Sequence, residues 1–172
     1  KPMFPARRVV TEAEYCEILG KENEFEEEVH RLNEYGSAIS DAYSKANSAE
    51  VLKLSLEPWR AYKLPIELTE TECLSIRIGL MPLSTDVQEV ENELEAAGLP
   101  SVVQCVNKEK EQMYVNVWYF RDDEDAALEI IKRYGFTIAP IAELEGTAEE
   151  NISRAEHAIA DANSERESLE LK

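Results

Sequence analysis

The sequence predicts an α+β protein in which a compact segment of alternating strands and helices lies between two long helical arms. Three observations support this prediction. Short runs with period-two apolar alternation indicate strands between residues 73 and 141. Two runs with three- and four-residue apolar spacing indicate helices among those strands. Heptad-like spacing before residue 58 and after residue 147 indicates the arms.

The compact segment has the order strand, helix, strand, strand, helix, strand. The strands are predicted at 73–81, 102–106, 113–120 and 136–141, and the helices at 84–97 and 122–135. Ser84 or Asp86 is placed to cap the first helix, and the acidic run at 122–125 suits the positive end of the second helix. Two such halves fold most simply as a ferredoxin-like sandwich, an antiparallel sheet with both helices on one face.

The first arm opens with a capping box at Thr11 and Glu14. Its apolar residues fall on two seams at seven-residue spacing: Ile18, Phe25, Leu32, Ile39 and Ala46 on one, and Tyr15, Val29 and Tyr43 on the other. Gly36 and Ser37 are a candidate kink or a point where the helix splits in two. The Glu-rich stretch at 22–28 is interpreted as a solvated helix face rather than a metal site.

The second arm begins with Thr147 as candidate cap. Its apolar seam consists of Ile152, Ala155, Ile159, Ala162 and Leu169, with Arg166 as the exception. We therefore predict an antiparallel two-helix coiled coil with the α/β lobe at its tip. The predicted domains are a linker at 1–10, a first arm at 11–58, the lobe at 59–146 and a second arm at 147–172.

The two arms differ in length. At about 1.5 Å per residue, the first would span about 70 Å and the second about 40 Å. Much of the first arm then has no partner within this sequence. We expect either that the second arm continues beyond it or that another chain covers the exposed seam.

Composition limits the class of partner. The formal net charge is −18, which argues against binding nucleic acid or an anionic membrane and leaves a basic or neutral protein partner open. No apolar run approaches the roughly 18 residues of a membrane span, and the charged start lacks the apolar core of a signal peptide. Cys16, Cys73 and Cys105 are too few and too scattered for a disulfide framework, so a cytoplasmic location is expected.

No group of residues in the sequence points to catalysis, a metal or a cofactor. His30 and His157 are interpreted as exposed helix residues, because neither has a His or Cys at ligand spacing. The acidic run at 122–125 lacks the glycine and glutamate of an EF-hand loop. There is no Gly-rich phosphate loop. We predict a non-catalytic protein.

The sheet face away from the helices is the predicted binding surface. Alternation assigns Ile76, Ile78, Val115 and Val117 to the core face. The opposite face would carry Ser75, Arg77, Tyr114, Asn116, Trp118 and Phe120. Among these, Arg77, Tyr114, Asn116 and Trp118 are the predicted partner-binding residues, since aromatic residues and arginine are typical interface anchors.

A second interpretation of this face remains open. Tyr114 and Trp118 could instead be covered by the lobe's own flanking segment at 59–69. Trp59 itself is expected to pack where the first arm enters the lobe.

Four short motifs occur in order between the arms. They are Leu56-Glu57-Pro58-Trp59, Leu64-Pro65-Ile66, Gly79-Leu80-Met81-Pro82 and Glu143-Leu144-Glu145-Gly146-Thr147. In this order the chain resembles the cytoplasmic N-terminal region of subunit I, also called subunit a, of rotary V-type ATPases and ATP synthases. The resemblance runs from the first arm to the last and is strongest from Leu56 to Thr147.

The resemblance implies a stator. In that family two α/β lobes joined by a coiled coil precede a membrane domain, and here only the distal lobe and part of the coiled coil would be present. It implies that an E/G-type peripheral-stalk heterodimer binds the lobe, with other ATPase subunits as further partners. The chain would lie on the cytoplasmic side of a membrane-bound complex, as a soluble part of a membrane-embedded parent.

Two other functions remain open. Ferredoxin-like lobes also serve as small-molecule regulatory modules, which predicts a Gly-rich ligand turn after the first strand and dimerisation through the sheet. Gly79 is the sole residue that favours this. The third hypothesis is a coiled-coil adaptor unrelated to ATPases, with the same shape and another protein partner.

Overall fold

The computed structural model describes residues 11–141 and 144–171. The predicted linker at 1–10, the motif residue Glu143 and the side chain of Ile18 lie outside this description. The helices are α1 (Glu12–Gly20), α2 (Glu22–Leu56), α3 (Val87–Ala96), α4 (Glu124–Arg133) and α5 (Ala148–Glu170). The strands are β1 (Leu74–Pro82), β2 (Ser101–Lys108), β3 (Gln112–Phe120) and β4 (Thr137–Ile138). The chain divides into two compact units, one of residues 45–161 and one formed by the residues before 45 and after 161.

The larger unit contains a four-stranded sheet in the order β2-β3-β1-β4, with every neighbouring pair antiparallel. This is the strand order of a βαββαβ sandwich, so the predicted ferredoxin-like fold is confirmed. Helices α3 and α4 bury Val90, Leu94, Ala127 and Ile131 in one core with the sheet. Of the two candidate caps for α3, Asp86 is the one that acts, because its side chain accepts from the amide of Gln88.

The two sheet-covering helices are also joined by polar contacts. The hydroxyl of Tyr134, just after α4, donates to Glu93 Oε2 of α3 at 2.5 Å, and Arg133 pairs with the same carboxylate at 2.7 Å. The hydrogen bond to Glu93, reinforced by desolvation, raises the pKa of Tyr134 to about 12. These contacts join the exposed ends of the two helices across the surface of the core.

Strand β4 is shorter than predicted. The sequence favours 136–141, yet residues 137 and 138 alone form the strand in the described part of this segment. Phe136 turns into the helix-side core, and Pro140 has no amide hydrogen to donate. Gly79 of β1 makes this close approach possible, because a Cβ there would lie 2.3 Å from the Phe136 ring and 2.4 Å from the Thr137 carbonyl oxygen.

Each face of the sheet carries a hydrophobic core. The second core lies on the face away from α3 and α4, which we call the outer face. Its members come from the end of α2, the segment that follows it, the sheet and the start of α5, and include Leu56, Trp59, Tyr62, Ile66, Tyr114, Ile141, Ala148 and Ile152. Trp59 is therefore packed where the first helical arm meets the lobe, as the sequence predicted.

The predicted face assignment in β1 is wrong. The register places Ile76 opposite Trp118 and Arg77 opposite Val117, and directly opposite residues share a face. Ile76 and Ile78 therefore lie on the outer face, away from Val115 and Val117. The alternation in β1 is real, but with a core on each side of the sheet it cannot say which core the isoleucines join.

The last turns of α2 pack against the first turns of α5. Leu52 and Leu56 join Ala148 and Ile152 in the outer-face core, and Lys53 Nζ lies 2.8 Å from Glu156 Oε1. The start of α5 is a capping box, since Thr147 Oγ1 accepts from the amide of Glu150 while Glu150 Oε2 accepts from the amide of Thr147. The cap predicted at Thr147 is confirmed.

In the smaller unit, the capping box at Thr11 and Glu14 is also present. Helix α2 is continuous through Gly36 and Ser37, so the split considered there does not occur, and the interruption lies at Lys21 instead. Most of the described seam side chains of the first arm are solvent-exposed: Tyr15, Phe25, Val29, Leu32 and Tyr43.

Candidate partner-binding site on the sheet

The outer face of β3 carries three of the predicted partner-binding residues. Tyr114, Asn116 and Trp118 alternate with the helix-side residues Val115 and Val117. Strand β3 is central in the sheet, with β2 on one side and β1 on the other. These three side chains are therefore held at fixed spacing by strand pairing on both sides.

Tyr114 is covered by the chain itself, with 7% of its surface exposed. Its ring packs edge-to-face on Trp59, with ring centroids 5.3 Å apart. Its hydroxyl donates to Glu109 Oε2 and accepts from Gln112 Nε2, each at 2.9 Å. Burial raises the pKa of Tyr114. The second interpretation is therefore correct for Tyr114. The segment that starts at Trp59 covers this side chain.

Trp118 is half-buried, and its neighbours on the outer face include exposed apolar side chains. Val102 of β2 is directly opposite Trp118, and Phe120 is two residues further along β3 on the same face. Val102 is 56% exposed and Phe120 is 44% exposed. Together Val102, Trp118 and Phe120 form what we call the outer patch, which is apolar, accessible and carried by rigid strands.

A groove adjoins the outer patch. It lies between residues 61–64 and strands β2 and β3, and Asn116 and Trp118 line it. Asn116 Nδ2 donates to Gln104 Oε1 at 3.3 Å, whereas Asn116 Oδ1 is buried and has no hydrogen-bond partner among the described residues. The groove lining therefore includes an aromatic side chain and a buried amide whose oxygen has no partner among the described residues.

Arg77 does not belong to this site. It lies on the helix side, where its guanidinium is 2.5 Å from Glu124 Oε1 of α4 and donates to the Thr69 carbonyl at 2.8 Å. Ser75 Oγ and the Tyr119 hydroxyl donate to the same carboxylate, at 3.2 and 3.3 Å. Burial raises the pKa of Tyr119. The prediction that Arg77 shares a face with Trp118 is wrong, because the register places it opposite Val117.

Comparison with solved structures identifies the fold. A crystal structure of the cytoplasmic N-terminal domain of subunit I, homolog of subunit a, of V-ATPase matches with a TM-score of 0.54 and 16% sequence identity. The match covers 96% of this chain and 54% of the other. The chain has the fold of that V-ATPase domain. It spans about half of the length of the structure that it matches. No family model and no curated protein matches the chain.

The described residues show few other features that would indicate a chemical function. No group of three or more His, Cys, Asp or Glu side chains among them is placed to hold a metal ion. None of the described helices is long and apolar enough to cross a membrane. The three cysteines are free thiols, and His30 and His157 are exposed on helices.

Sequence reasoning missed two members of the site. Val102 and Gln104 extend the outer face onto β2, opposite Trp118 and Asn116. The signal is present in the sequence, since both residues lie in or beside a predicted strand at alternate positions. Their relation to β3 depends on the hairpin register, which the polar turn at 107–111 leaves undetermined.

Proposed function

We propose that this chain is a non-catalytic stator component of a V-type ATPase or ATP synthase. In this proposal the α/β lobe at 59–146 anchors an E/G-type peripheral-stalk heterodimer on the cytoplasmic side of the membrane-bound complex. Other subunits of the ATPase are further partners. The observation that carries the proposal is the fold likeness to the V-ATPase subunit I domain across nearly the whole chain.

The architecture suits a stator mechanically. Rotary coupling requires that the catalytic head and the membrane stator do not turn with the rotor, so torque must pass through a stiff connection. Helix α2 is 35 residues long, or about 50 Å at 1.5 Å per residue. Its end is locked into the outer-face core by Leu56, which is fully buried. Several anchors in one assembly need only modest affinity each, because they act at high effective concentration.

The outer patch is the part of the lobe that we assign to the stalk. It is apolar, solvent-exposed and built on rigid strands, and it includes an aromatic residue of the kind that dominates interface energies. Tyr114 packs on Trp59 beneath the covering segment, so we do not assign it to the partner contact. Arg77 positions α4 on the sheet through Glu124.

Binding of this chain to a purified E/G-type heterodimer, measured by calorimetry, tests the proposal. We expect saturable binding that Trp118→Ala weakens by about 30-fold and Phe120→Ala by about tenfold, since aromatic anchors contribute roughly 1–2 kcal/mol or more. Leu83→Ala is the matched control, because Leu83 is 41% exposed, close to the value for Phe120, but lies in the loop after β1.

The unfolding midpoint of each variant shows whether the lobe is intact. A folded wild-type chain that does not bind the heterodimer contradicts the proposed function. Binding that Leu83→Ala weakens as much as Phe120→Ala contradicts the assignment to the outer patch.

A further inference from the structure

Asn116 is a buried amide whose hydrogen-bonding capacity is only partly used. The residue is 2% exposed on a strand whose neighbours are valines. Its Nδ2 is bonded to Gln104, but its Oδ1 has no partner within the part of the chain that the structure describes. Leaving a buried acceptor unpaired is unfavourable, and an apolar side chain of the same shape would avoid the penalty. A hydrogen-bond donor from outside the chain would satisfy this oxygen.

The groove disfavours a negatively charged group. Asn116 Oδ1 and the negative face of the Trp118 indole both repel anions. Among the described residues that line the groove, Lys63 is the one cation, and it already lies 2.7 Å from Glu149 Oε2. The positive charge of this lysine is therefore engaged before any incoming group arrives.

The same features favour a cation. An ammonium or guanidinium group is attracted by an indole face and donates to carbonyl oxygens. The chain carries 36 acidic and 18 basic residues, so its long-range field attracts a basic partner. A second copy of this chain would add a further charge of −18, which opposes self-association at this face.

We propose that the groove between residues 61–64 and strands β2 and β3 receives a Lys or Arg side chain of a protein partner. The cationic head donates to Asn116 Oδ1, and its stem stacks on the Trp118 indole. This inference deepens the proposed function and rests on it, because it states which side chain the peripheral-stalk heterodimer presents beside the outer patch.

The substitution Asn116→Leu separates a binding role from a structural one. It removes the unpaired oxygen and keeps the shape, so we expect the unfolding midpoint of the free chain to rise by about 2–4 °C. We expect the affinity for the heterodimer to fall by about tenfold or more, because a hydrogen bond to a charged group is lost. Asn92→Leu, at an exposed position of α3, is the matched control and should leave the affinity unchanged.

A small probe tests the inference independently of the heterodimer. N-acetylarginine methylamide should shift the indole N–H signal of Trp118 in NMR spectra of the wild-type chain, and its neutral citrulline analogue should shift it less. The signal of Trp59, which is buried, is the internal reference. Asn116→Leu should reduce the shift caused by the arginine compound.

The outcomes distinguish the two proposals. If the wild-type chain does not bind the heterodimer, the proposed function fails, and the arginine titration decides the present inference. If the heterodimer binds wild type and Asn116→Leu equally, the inference is overturned while the proposed function stands. A Trp118 signal that responds equally to the arginine and citrulline compounds also overturns it.

Discussion

Gly79 shows how a single residue determines the edge of the sheet. In the sequence it is weak support for a ligand-binding turn, but it lies inside β1, where β4 approaches too closely for any side chain. Packing against Phe136 accounts for this glycine. The turn between β1 and α3, at 83–86, contains no glycine.

We expect Gly79→Ala to lower the free energy of unfolding by roughly 1–3 kcal/mol, measured by chemical denaturation, because the new methyl group would overlap the Phe136 ring and the Thr137 backbone. Gly36→Ala is the matched control. It lies inside α2, and no described atom outside its own stretch of helix backbone comes within 4 Å of where its Cβ would stand. Helix propensity should therefore leave stability unchanged or raise it by up to about 1 kcal/mol. Equal effects of the two substitutions would contradict the packing role of Gly79.

Asn116 and Arg77 mark the limit of residue-level prediction. Both stand out in the sequence as unusual polar residues in strands. Whether a strand residue meets a partner or the protein's own helix depends on register and on which segment covers the sheet. Glu124, which binds Arg77, is 47 residues away along the chain. No local pattern in the sequence links the two residues.

Among the elements, the helix caps are the most predictable features. The capping box at Thr11 and Glu14 and the cap at Thr147 form as expected, because the contacts span three residues and need no tertiary information. Strand positions agree with the prediction to within one or two residues at most ends. Strand β4 is the exception, because its length depends on how far Phe136 is drawn into the core.

The capping box of α5 gives a prediction with a defined pH dependence. Thr147→Ala should lower the free energy of unfolding by about 1 kcal/mol at neutral pH. The hydrogen bond from the Thr147 amide lowers the pKa of Glu150 below its usual value of 4.5. The stability that this carboxylate provides is present above pH 4.5 and is lost as the pH falls through its lowered pKa.

Denaturant unfolding at neutral and acidic pH measures this effect. The difference between wild type and Glu150→Ala should shrink as Glu150 becomes protonated, because the wild type then also loses the bond from the Thr147 amide to the carboxylate. Ser153→Ala, exposed one turn further along α5, should show no such loss. A gap between wild type and Glu150→Ala that stays constant into acid would show that Glu150 does not complete the box.

At the scale of the whole molecule, the sequence predicts the fold class and the strand order, and it leaves cover of the sheet by the segment at 59–69 as an alternative. It does not predict that residues of both arms join that segment in a second core. The outer face is covered by residues from both helical arms and from the segment that starts at Trp59, which come together only when the chain has folded. What remains accessible is the outer patch and its groove. The basic partner that we propose would complement the net charge of −18 and the Asn116 oxygen, which has no partner among the described residues.

Site-specific photocrosslinking in the proposed assembly, a V-type ATPase or ATP synthase complex, tests the central claim most directly. With Cys16 and Cys105 replaced by serine, a crosslinker on Cys73 would lie next to Leu74, which pairs with Phe120 of the outer patch. We predict crosslinks from Cys73 to an E- or G-type stalk subunit. A cysteine introduced as Glu129→Cys on exposed α4 should give far fewer. If Cys73 reaches no stalk subunit, or if Glu129→Cys reaches one equally well, the claim that the outer face of this lobe holds the peripheral stalk is contradicted.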